Sequence, residues 1–555
     1  LGKARAAHLL RRATFGPTRQ EIDQFSTLTA DQAMTLLLDD STESPLPPVD
    51  PATGSTWVDP AGVAHAAPDR EQDELFRYFQ CWHMDVMRRA PLTLKERLTW
   101  FYHTHLPARW TRILSSEAIY YQNALFRHYA YGSFKELFKK ICVDNAMLRY
   151  LDGYSNRFRS PNENFAREML ELYSIGKGTQ VKEGDYTNYT EDDIREATRV
   201  LTGWTIDETF SYLDEDTGLP TGKMRTSIVG EGTEAVEVAV EHDPEVKTFT
   251  DKFGGQSIQP AEIVGGYPTV ESAYGELDAM IEMIFEQKET GRFIARKLYR
   301  FFVYHFITEE AEQDIIGPLA QILIDNNYSI VEALKALLAS DHFFDNDDAV
   351  KENDNIGALI KSPVDVFCGL FRSFKMVFPD RNSDPASFYT NMGFVVDRLV
   401  DQGLNFYEPF EVAGYPAYHQ IPGYNRNWIT TYALAYRYQT GDLLIEPPGA
   451  ENPLSIYLDV VEWVENSGDV SDPSNATEIM AVLSENLLAV SLTQERRDYF
   501  LYTVFLDFPE NHGYALNLWT QEWNNYKGSG NDAYVRSRLD LLISKLIQTP
   551  EFQLY

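Results

Sequence analysis

Apolar and polar residues alternate along most of the chain with the three- and four-residue spacing of amphipathic α-helices. This spacing places the apolar side chains on one face of each helix, and that face is expected to pack into a core. The pattern predicts helices around residues 72–88, 271–287, 292–305, 310–325, 329–340 and 363–374. The same helical spacing of apolar residues occurs again from 453 to 548. Helix is therefore expected to dominate the fold.

Helix start signals support this prediction. In a capping box, a Ser or Thr side chain and an acid three residues later each accept a hydrogen bond from a free backbone N–H group. Ser160 and Pro161 followed by Glu163 also predict a helix start, and Gly176 predicts the end of that helix. The predicted capping boxes are Thr93 with Glu96, Ser133 with Glu136, and Thr190 with Asp193.

Two stretches depart from the helical pattern. Residues 205–268 are rich in Gly, Thr and Asp, and the alternation along 234–240 is typical of a strand or hairpin. Residues 405–428 combine Pro and Gly with several aromatic side chains, which predicts an ordered loop that packs down on the body. We therefore predict a mainly α fold: a large multi-helical body with a small β-rich insertion.

The predicted boundaries between parts of the chain follow these changes in sequence pattern. We expect an N-terminal helical part, an irregular or β-rich insertion, a central helical part that carries the aromatic loop 405–428, and a C-terminal helical part that packs on the body. The respective ranges are 1–204, 205–268, 269–440 and 441–555.

Charge narrows the range of functions. The chain of 555 residues carries 49 Lys and Arg against 83 Asp and Glu, a formal net charge of −34. A phosphate backbone needs a basic footprint, so nucleic-acid binding is excluded as the expected function. No stretch approaches the roughly 18 uninterrupted apolar residues of a membrane span. Strong acidity also suits an exported protein in a salty medium, where salt screens self-repulsion.

Motifs of the common enzyme classes are missing from the sequence. There is no phosphate-binding P-loop, no GxGxxG that opens a helix, no GxSxG and no HExxH. Cys81, Cys142 and Cys368 form no CxxC pair, which argues against a zinc knuckle or a disulfide framework. Because the chain begins at Leu1, a cleaved export signal or an artificial truncation would each account for its start.

Several distinctive blocks occur along nearly the whole chain. They include HLLRRATFG at 8–16, FYHTH at 101–105, AMLRYLDG at 146–153, PNENFARE at 161–168, LTGW at 201–204, RFIARKL at 292–298, VAGYP at 412–416 and PEFQ at 550–553. Together these blocks resemble a bacterial family catalogued as domain of unknown function 1800. Tyr102 and Tyr415 stand where the family pattern leads us to expect tryptophan, and extra residues lie between Gly184 and Tyr189. The resemblance implies an exported (periplasmic or extracellular) bacterial protein, often encoded beside a sulfatase-like family, and it supplies no activity.

His103 and His105 are candidate metal ligands. If the preceding helix ends near Tyr102, the two imidazoles lie in an extended exit and share one face. A third ligand such as Glu168 would complete a site for a divalent metal. The alternative is that both histidines cap helix carbonyls or pack beside their aromatic neighbours.

The helix predicted at 161–176 supplies candidate acids. Glu163, Arg167 and Glu171 are spaced four residues apart, which indicates a surface ladder of ion pairs. The functional interpretation makes Glu168 and Glu171 metal ligands or an acid/base pair. If the polar faces of this helix and the next one meet, these acids would instead pair with Arg195 and Arg199 in a buried network.

Loop residues give the remaining candidates. His242 and Asp243, with Lys247 nearby, lie in the predicted insertion and would orient an imidazole or hold an ion, or form an ordinary charged turn. The acidic runs 214–218 and 345–348 are candidate calcium loops or solvated acid loops, and neither has the EF-hand spacing. The basic face Arg292, Arg296, Lys297 and Arg300 is expected to be a salt-bridged exterior.

Two functions of different class follow. The leading one is an exported binding or assembly protein whose groove, lined by loop 405–428 and the insertion, engages a sulfatase-like partner protein or an extracellular polymer. The other is a metal-dependent enzyme, hydrolytic or oxidative, that uses a His/Glu site between helices. The sequence leaves open whether the protein is an enzyme.

Overall fold

The computed structural model describes residues 1–59, 71–232, 235–347, 354–448 and 455–555. In the N-terminal part, the α-helices are Lys3–Ala13, Arg19–Ser26, Ala30–Leu37, Gln72–Arg88, Lys95–His105, Trp110–Ile113, Ser116–His128, Phe134–Ile141, Asn145–Tyr150, Asn164–Glu168 and Glu191–Val200.

Helices continue through the rest of the chain. The central α-helices are Val270–Phe285, Lys288–Phe302, Glu309–Ala311, Gly317–Asp325, Ile330–Leu338, Pro363–Ser373, Pro385–Asp401, Pro416–His419 and Thr431–Ile445. The C-terminal ones are Val460–Asn466, Ala476–Leu487, Gln494–Asp498, His512–Ser529, Ala533–Ile547 and Pro550–Gln553. Short 3₁₀ turns cover Gly153–Ser155, Asp251–Phe253 and Tyr424–Ile429.

The strands are short and pair in antiparallel hairpins of two. The longest hairpin aligns Ser227 with Val238, and the predicted strand run 234–240 becomes the strand Val236–Ala239, with Glu234 outside the described residues. The prediction of a mainly α fold with small β elements is confirmed. The pairs are Gln180–Lys182 with Asp185–Tyr186, Trp204–Thr205 with Lys223–Met224, Thr226–Val229 with Val236–Ala239, Lys247–Thr248 with Ser257–Ile258, and Ile263–Val264 with Tyr267–Pro268.

Helix starts follow the capping signals only in part. Thr190 and Asp193 form the predicted capping box, and Ser133 accepts a hydrogen bond from the backbone N–H of Glu136. The prediction at Thr93 is wrong, because the helix begins at Lys95 without a side-chain cap. The start predicted at Ser160 is also wrong, since the helix begins at Asn164.

In the part of the chain that the structure describes, three helices contain a π-helical turn, in which one extra residue widens the backbone. The turns are Met169–Ser174, Glu312–Ile316 and Tyr499–Phe505, and each continues directly from a preceding α-helix. In the first, Ser174 Oγ donates a 2.7 Å hydrogen bond to the carbonyl oxygen of Met169, five residues back. Such turns often occur at functional sites because they change the direction of side chains relative to a regular helix.

The core is one connected cluster of buried apolar side chains that draws on segments from Ala6 to Phe552. C-terminal residues take part in it: the backbone N–H of Lys361 donates to the carbonyl oxygen of Gln553, and Arg97 Nη2 lies 2.9 Å from Tyr555 Oη. None of the helices in the described ranges combines the length and apolar character that a membrane crossing requires.

Candidate functional site

The aromatic loop 405–428 is fixed to the body by buried tyrosines. Tyr415 is 2% exposed, and its hydroxyl donates to the carbonyl oxygen of Asn405 at 2.8 Å and accepts from the backbone N–H of Tyr407 at 3.1 Å. His103 Nε2 lies 3.0 Å from the same hydroxyl oxygen. A single side chain thereby joins two positions of the loop to the helix Lys95–His105. The prediction that this loop is ordered and packed agrees with these contacts.

Glu408 makes a second attachment. Its carboxylate accepts hydrogen bonds from the backbone N–H and the hydroxyl of Thr111, at 3.0 and 2.8 Å, and forms an ion pair with Arg109. The backbone N–H of Trp110 also donates to the carbonyl oxygen of Tyr407. These charge-assisted contacts hold the loop against the segment that follows the helix Lys95–His105.

Gly414 lies where the loop comes closest to the body. Its φ of +102° is unfavourable for residues with a side chain, and a Cβ atom there would lie 3.0 Å from the carbonyl oxygen of Thr104. Only glycine therefore allows the loop to lie this close to the helix end.

Away from these attachments, the loop and the helix that follows it expose large apolar side chains. Phe410 is 79% exposed and Ile421 75% exposed, and Tyr432 at the start of the next helix is 63% exposed. His419 Nε2 lies 3.3 Å from Glu411 Oε1, so the stretches that carry Phe410 and Ile421 contact each other. We call Phe410, Ile421 and Tyr432 the exposed apolar set. Exposed apolar side chains on a rigid support are typical of a binding surface.

The acidic turn of the helix at 164–174 packs against this loop. Tyr173 Oη donates to the carbonyl oxygen of Val412 at 3.2 Å, and His105 Nε2 lies 3.0 Å from the carbonyl oxygen of Tyr173. Glu168 is the last residue before the π-helical turn and is half-buried. Among the described residues it has no hydrogen-bond or ion-pair partner, and burial together with the charge of Glu171 raises its pKa to about 6.

The other acids of this turn are already paired. Glu171 accepts from Lys177 Nζ at 3.1 Å and from Tyr189 Oη at 3.1 Å. Arg167 connects Glu163 to Glu191, so the predicted ladder includes Glu163 and Arg167 but not Glu171. Glu168 is thus the free carboxylate of the turn.

His103 and His105 lie inside the helix Lys95–His105, not in an extended exit after it. Residues two apart on a helix are turned about 200° from each other, and the two rings accordingly contact different neighbours. His103 packs on Tyr407, with ring centroids 3.9 Å apart, and His105 lies beside Phe134. Burial lowers the pKa of His103 to about 3 and that of His105 well below its usual range.

The structure does not bring the three predicted metal ligands together. Across the described ranges, no three His, Cys, Asp or Glu side chains converge as a metal site requires. The Nδ1 atoms of His103 and His105 are buried without a hydrogen-bond partner, and each histidine uses Nε2 within the protein. The packing of both rings among aromatic side chains agrees with the alternative interpretation.

The two arginines of the next helix have other partners than predicted. Arg195 is exposed and pairs with Asp192 at 2.8 Å. Arg199 binds Glu196 at 2.6 Å and Asp243 at 2.7 Å. The conditional network with Glu168 and Glu171 therefore does not form, because the arginine side chains reach acids of their own helix and of the insertion.

His242 and Asp243 are 0% and 3% exposed. His242 Nδ1 lies 2.8 Å from the carbonyl oxygen of Thr202, and Lys247 Nζ donates to the carbonyl oxygen of Asp243 at 2.6 Å. These contacts join the β-rich insertion to the helical body. Their burial gives a substrate no direct access to either candidate residue.

The acidic loops that were candidates for calcium have protein partners. Asp214 and Asp216 both contact Lys140 Nζ, at 2.6 and 2.5 Å. Asp345 accepts hydrogen bonds from two backbone N–H groups, and Asp347 contacts His342, whereas position 348 lies outside the described residues.

Lys297 differs from the salt-bridged exterior that the sequence predicted for the basic face. On the basic face, Arg296 forms the expected salt bridges with Glu289 and Glu312, both at 2.6 Å. Lys297 instead lies with its Nζ 5.2 Å from the ring centroid of Phe293 and has no carboxylate partner in the described part of the chain. Burial, with a smaller effect of Arg300, lowers its pKa to about 8. The sequence signal for this contact is the spacing of Lys297, which lies four residues, about one helical turn, after Phe293.

Comparison with known proteins identifies a family to which this chain is similar. The model of a family described as "Protein of unknown function (DUF1800)" matches residues 8–554, nearly the whole chain. Comparisons with curated proteins and with solved structures give no match.

Proposed function

Since the chain belongs to the DUF1800 family of proteins of unknown function, whose description assigns no activity, we propose its function from the geometry of the aromatic loop. The protein is an exported binding or assembly protein that engages a partner protein, such as a sulfatase-like neighbour, or an extracellular polymer. The exposed apolar set Phe410, Ile421 and Tyr432 forms the contact surface.

The observation that carries this proposal is the contrast within one loop. Tyr407 and Tyr415 are buried and fixed by hydrogen bonds, whereas Phe410 and Ile421 are more than 70% exposed. A loop that is already held in one conformation loses little entropy when it binds, so its apolar side chains contribute more of their burial energy to affinity. Large aromatic and aliphatic side chains of this kind commonly supply most of the binding energy of an interface.

The neighbouring acidic turn adds a polar contact. Tyr173 links the turn to the loop at Val412, and Glu168 is half-buried and free of partners in the described residues. A carboxylate on a turn that contacts the loop would accept hydrogen bonds from backbone N–H groups of a protein or from hydroxyl groups of a polysaccharide. Glu168 would thus fix the orientation of a bound partner, and the exposed apolar set would supply the contact area.

The proposal is tested with the full chain as bait in an envelope extract of the native host and in sedimentation with its cell-surface polymers. Phe410→Ser and Ile421→Ser are compared with Val377→Ser, a control that replaces another exposed residue, 83% exposed, outside the loop. Loss of one apolar anchor costs about 2 kcal/mol, so affinity should fall roughly 30-fold in each loop variant.

The control variant should bind like the wild type. Retention of no protein or polymer by the wild type, or equal retention by the loop variants, would contradict the proposal. A partner that both loop variants lose and the Val377→Ser variant keeps would support it.

Glu168 is the specific observation that favours the second candidate function, a metal-dependent enzyme. A carboxylate whose pKa is raised to about 6 by burial and by Glu171 is suited to proton transfer near neutral pH. Elemental analysis of protein purified without chelators tests the metal: a true site fills close to one equivalent, and less than about half an equivalent would count against it. Loss of the metal in a folded Glu168→Gln variant would support Glu168 as a ligand.

A further inference from the structure

Four basic side chains are buried near one another, and none of them forms an ion pair with a carboxylate of the described residues. Arg11, Arg12, Lys361 and Arg437 are 6%, 0%, 8% and 0% exposed. In the described part of the chain, each of the four finds only uncharged oxygen atoms as hydrogen-bond acceptors. The acceptors are the carbonyl oxygens of Glu485 and Asn486 for Arg11, of Val303 and Asn355 for Arg12, and of Phe552 and Leu487 for Lys361, and for Arg437 the side chain of Gln553 and the carbonyl oxygen of Lys361.

Asp365 is the buried carboxylate of this region, and both of its oxygen atoms have direct partners other than the four basic side chains. It forms a buried ion pair with Arg97, and accepts hydrogen bonds from Tyr555 Oη at 3.1 Å and from Ser362 Oγ at 2.6 Å. Its charge also acts favourably on Arg12, Lys361 and Arg437, but this one buried carboxylate faces five buried basic side chains, the four named above and Arg97.

Burying these positive charges is energetically costly, and the lowered pKa values of the four side chains reflect that cost. Burial lowers the pKa of Arg11, Arg12 and Arg437 to about 10 each. Burial, reinforced by the charge of Arg11, lowers the pKa of Lys361 well below its usual range. Buried charges in proteins are normally paired or neutralised, because an isolated charge in a medium of low dielectric is costly.

A small cavity lies beside two of these cations. Arg11, Lys361 and Asn486 line it together with Asp365, Gly369 and Tyr555, and its volume is about 20 Å³. A cavity that size holds one particle close to a water molecule in size. Asn486 is 6% exposed, and both its Nδ2 and Oδ1 atoms are buried without a hydrogen-bond partner among the described residues. The cavity therefore combines two basic side chains and a free amide with the carboxylate of Asp365, whose oxygen atoms accept from Arg97, Ser362 and Tyr555.

We propose that this cavity binds a single halide ion, chloride under ordinary conditions, between Arg11 and Lys361 with Asn486 as a further donor. A monoatomic anion matches the size of the cavity, whereas a tetrahedral oxyanion needs more room. A bound anion would favour the protonated form of Lys361, which has three N–H donors; the carbonyl oxygens of Phe552 and Leu487 take two of them, and the third would bind the ion. This site is independent of the proposed binding surface.

Because the chain as a whole is acidic, chloride is expected to bind only where positive charge is concentrated. With a formal net charge of −34, the surface repels anions, and nonspecific association with chloride is disfavoured. A local excess of buried positive charge is therefore the feature that would attract a halide. The ion would join the N-terminal helix, through Arg11, to the segment at Lys361 that precedes the helix Pro363–Ser373.

The experiment measures ³⁵Cl NMR line width for the 555-residue chain in sodium chloride, with bromide as competitor. Saturable broadening that bromide reverses is the expected result. Asn486→Leu and Lys361→Met should lose the saturable part, and Lys335→Met, which removes an exposed ammonium paired with Glu332, should keep it. Thermal unfolding in chloride against gluconate at equal ionic strength should show a rise in Tm that levels off, again absent from the two cavity variants.

Two results would overturn the proposal: broadening that does not saturate, or saturable broadening that the cavity variants retain. If Lys361→Met does not fold, crystals of the wild type soaked in bromide decide the matter. An anomalous bromide peak in the cavity between Arg11 and Lys361 supports the site, and a cavity without such a peak contradicts it. Stabilisation by sulfate equal to that by chloride would also contradict a halide site.

Discussion

The side chains of Lys247 and Glu276 form an ion pair that is closed off from solvent, with exposures of 0% and 1%. Lys247 lies on a hairpin of the β-rich insertion and Glu276 on the helix Val270–Phe285. His242 Nε2 is 3.5 Å from the other carboxylate oxygen of Glu276, and Arg199 binds Asp243 beside it. The candidate residues of the insertion thus form an internal polar attachment between strand and helix.

Breaking this pair from one side should destabilise the protein strongly. Lys247→Met or Glu276→Leu alone leaves an uncompensated buried charge, and we expect a loss of about 3–5 kcal/mol in the free energy of unfolding. The double variant removes both charges and should recover much of that loss. Denaturant unfolding of the four proteins forms a double-mutant cycle that measures the coupling.

Lys252→Met is the matched control, because it breaks a partly exposed pair with Asp185. Its effect should stay below about 1 kcal/mol. Equal losses in Lys247→Met and Lys252→Met would show that the buried pair contributes no more than a surface pair.

The close approach at Gly414 gives a prediction about the loop. Gly414→Ala forces a residue with a Cβ atom into a φ of +102° and against the carbonyl oxygen of Thr104, and should cost about 1–3 kcal/mol. Gly513→Ala is the control, since no atom lies within 4 Å of its Cβ position in a helix, and it should be neutral or stabilise by up to about 1 kcal/mol. Thermal unfolding of both variants tests the difference. Equal Tm values would show that the loop adapts at Gly414.

The sequence predicted the fold class because helical periodicity and capping are local. The Thr190 and Asp193 capping box formed as expected. At Thr93 the local signal failed because the next backbone N–H, that of Leu94, donates to the carbonyl oxygen of Leu37, and the helix begins only at Lys95. A hydrogen bond from a distant segment decided the start of that helix, and no local pattern reports it.

The candidate site was predicted less well, for the same physical reason. Spacing along a helix suggested Arg167 as a partner of Glu163, and this pair forms. The partner of Arg199, by contrast, is Asp243 in the insertion, and His103 meets Tyr415 from a loop more than 300 residues later. Partners so far apart depend on the packing of whole elements, which side-chain spacing does not encode. Glu168 has no ion-pair partner in the described residues because Arg167 and Lys177 bind other acids, and the sequence spacing does not predict that outcome.

Glu168 should make stability depend on pH. Its pKa is raised from 4.5 to about 6, so the folded state binds this proton more tightly than the unfolded state. The stabilisation is complete below about pH 4.5 and is lost as pH rises through about 6. Glu168→Gln should therefore stabilise the protein by up to about 1 kcal/mol at pH 7.5, a value reduced for solvent screening, and by nothing at pH 4.

Urea unfolding at the two pH values measures this difference. Glu163→Gln is the control, because that exposed carboxylate is paired with Arg167 and its removal should give no gain at pH 7.5. A gain for Glu168→Gln that is equal at both pH values would show that ionisation of Glu168 is not its cause.

Lys297 should show the opposite dependence on pH. Its pKa is lowered from 10.5 to about 8, so the unfolded state holds this proton more tightly than the folded state. Stability from this group is present above about pH 10.5 and is lost as pH falls through about 8, so the folded protein carries the full penalty at pH 7. Lys297→Met should stabilise the protein by about 2–3 kcal/mol at pH 7, and the gain should shrink as pH approaches 10. Lys335→Met, on an exposed helix face, should change stability little at either pH. Urea unfolding at pH 7 and pH 9.5 separates the two variants, and a destabilising Lys297→Met at pH 7 would mean that the ammonium has a favourable partner in solution.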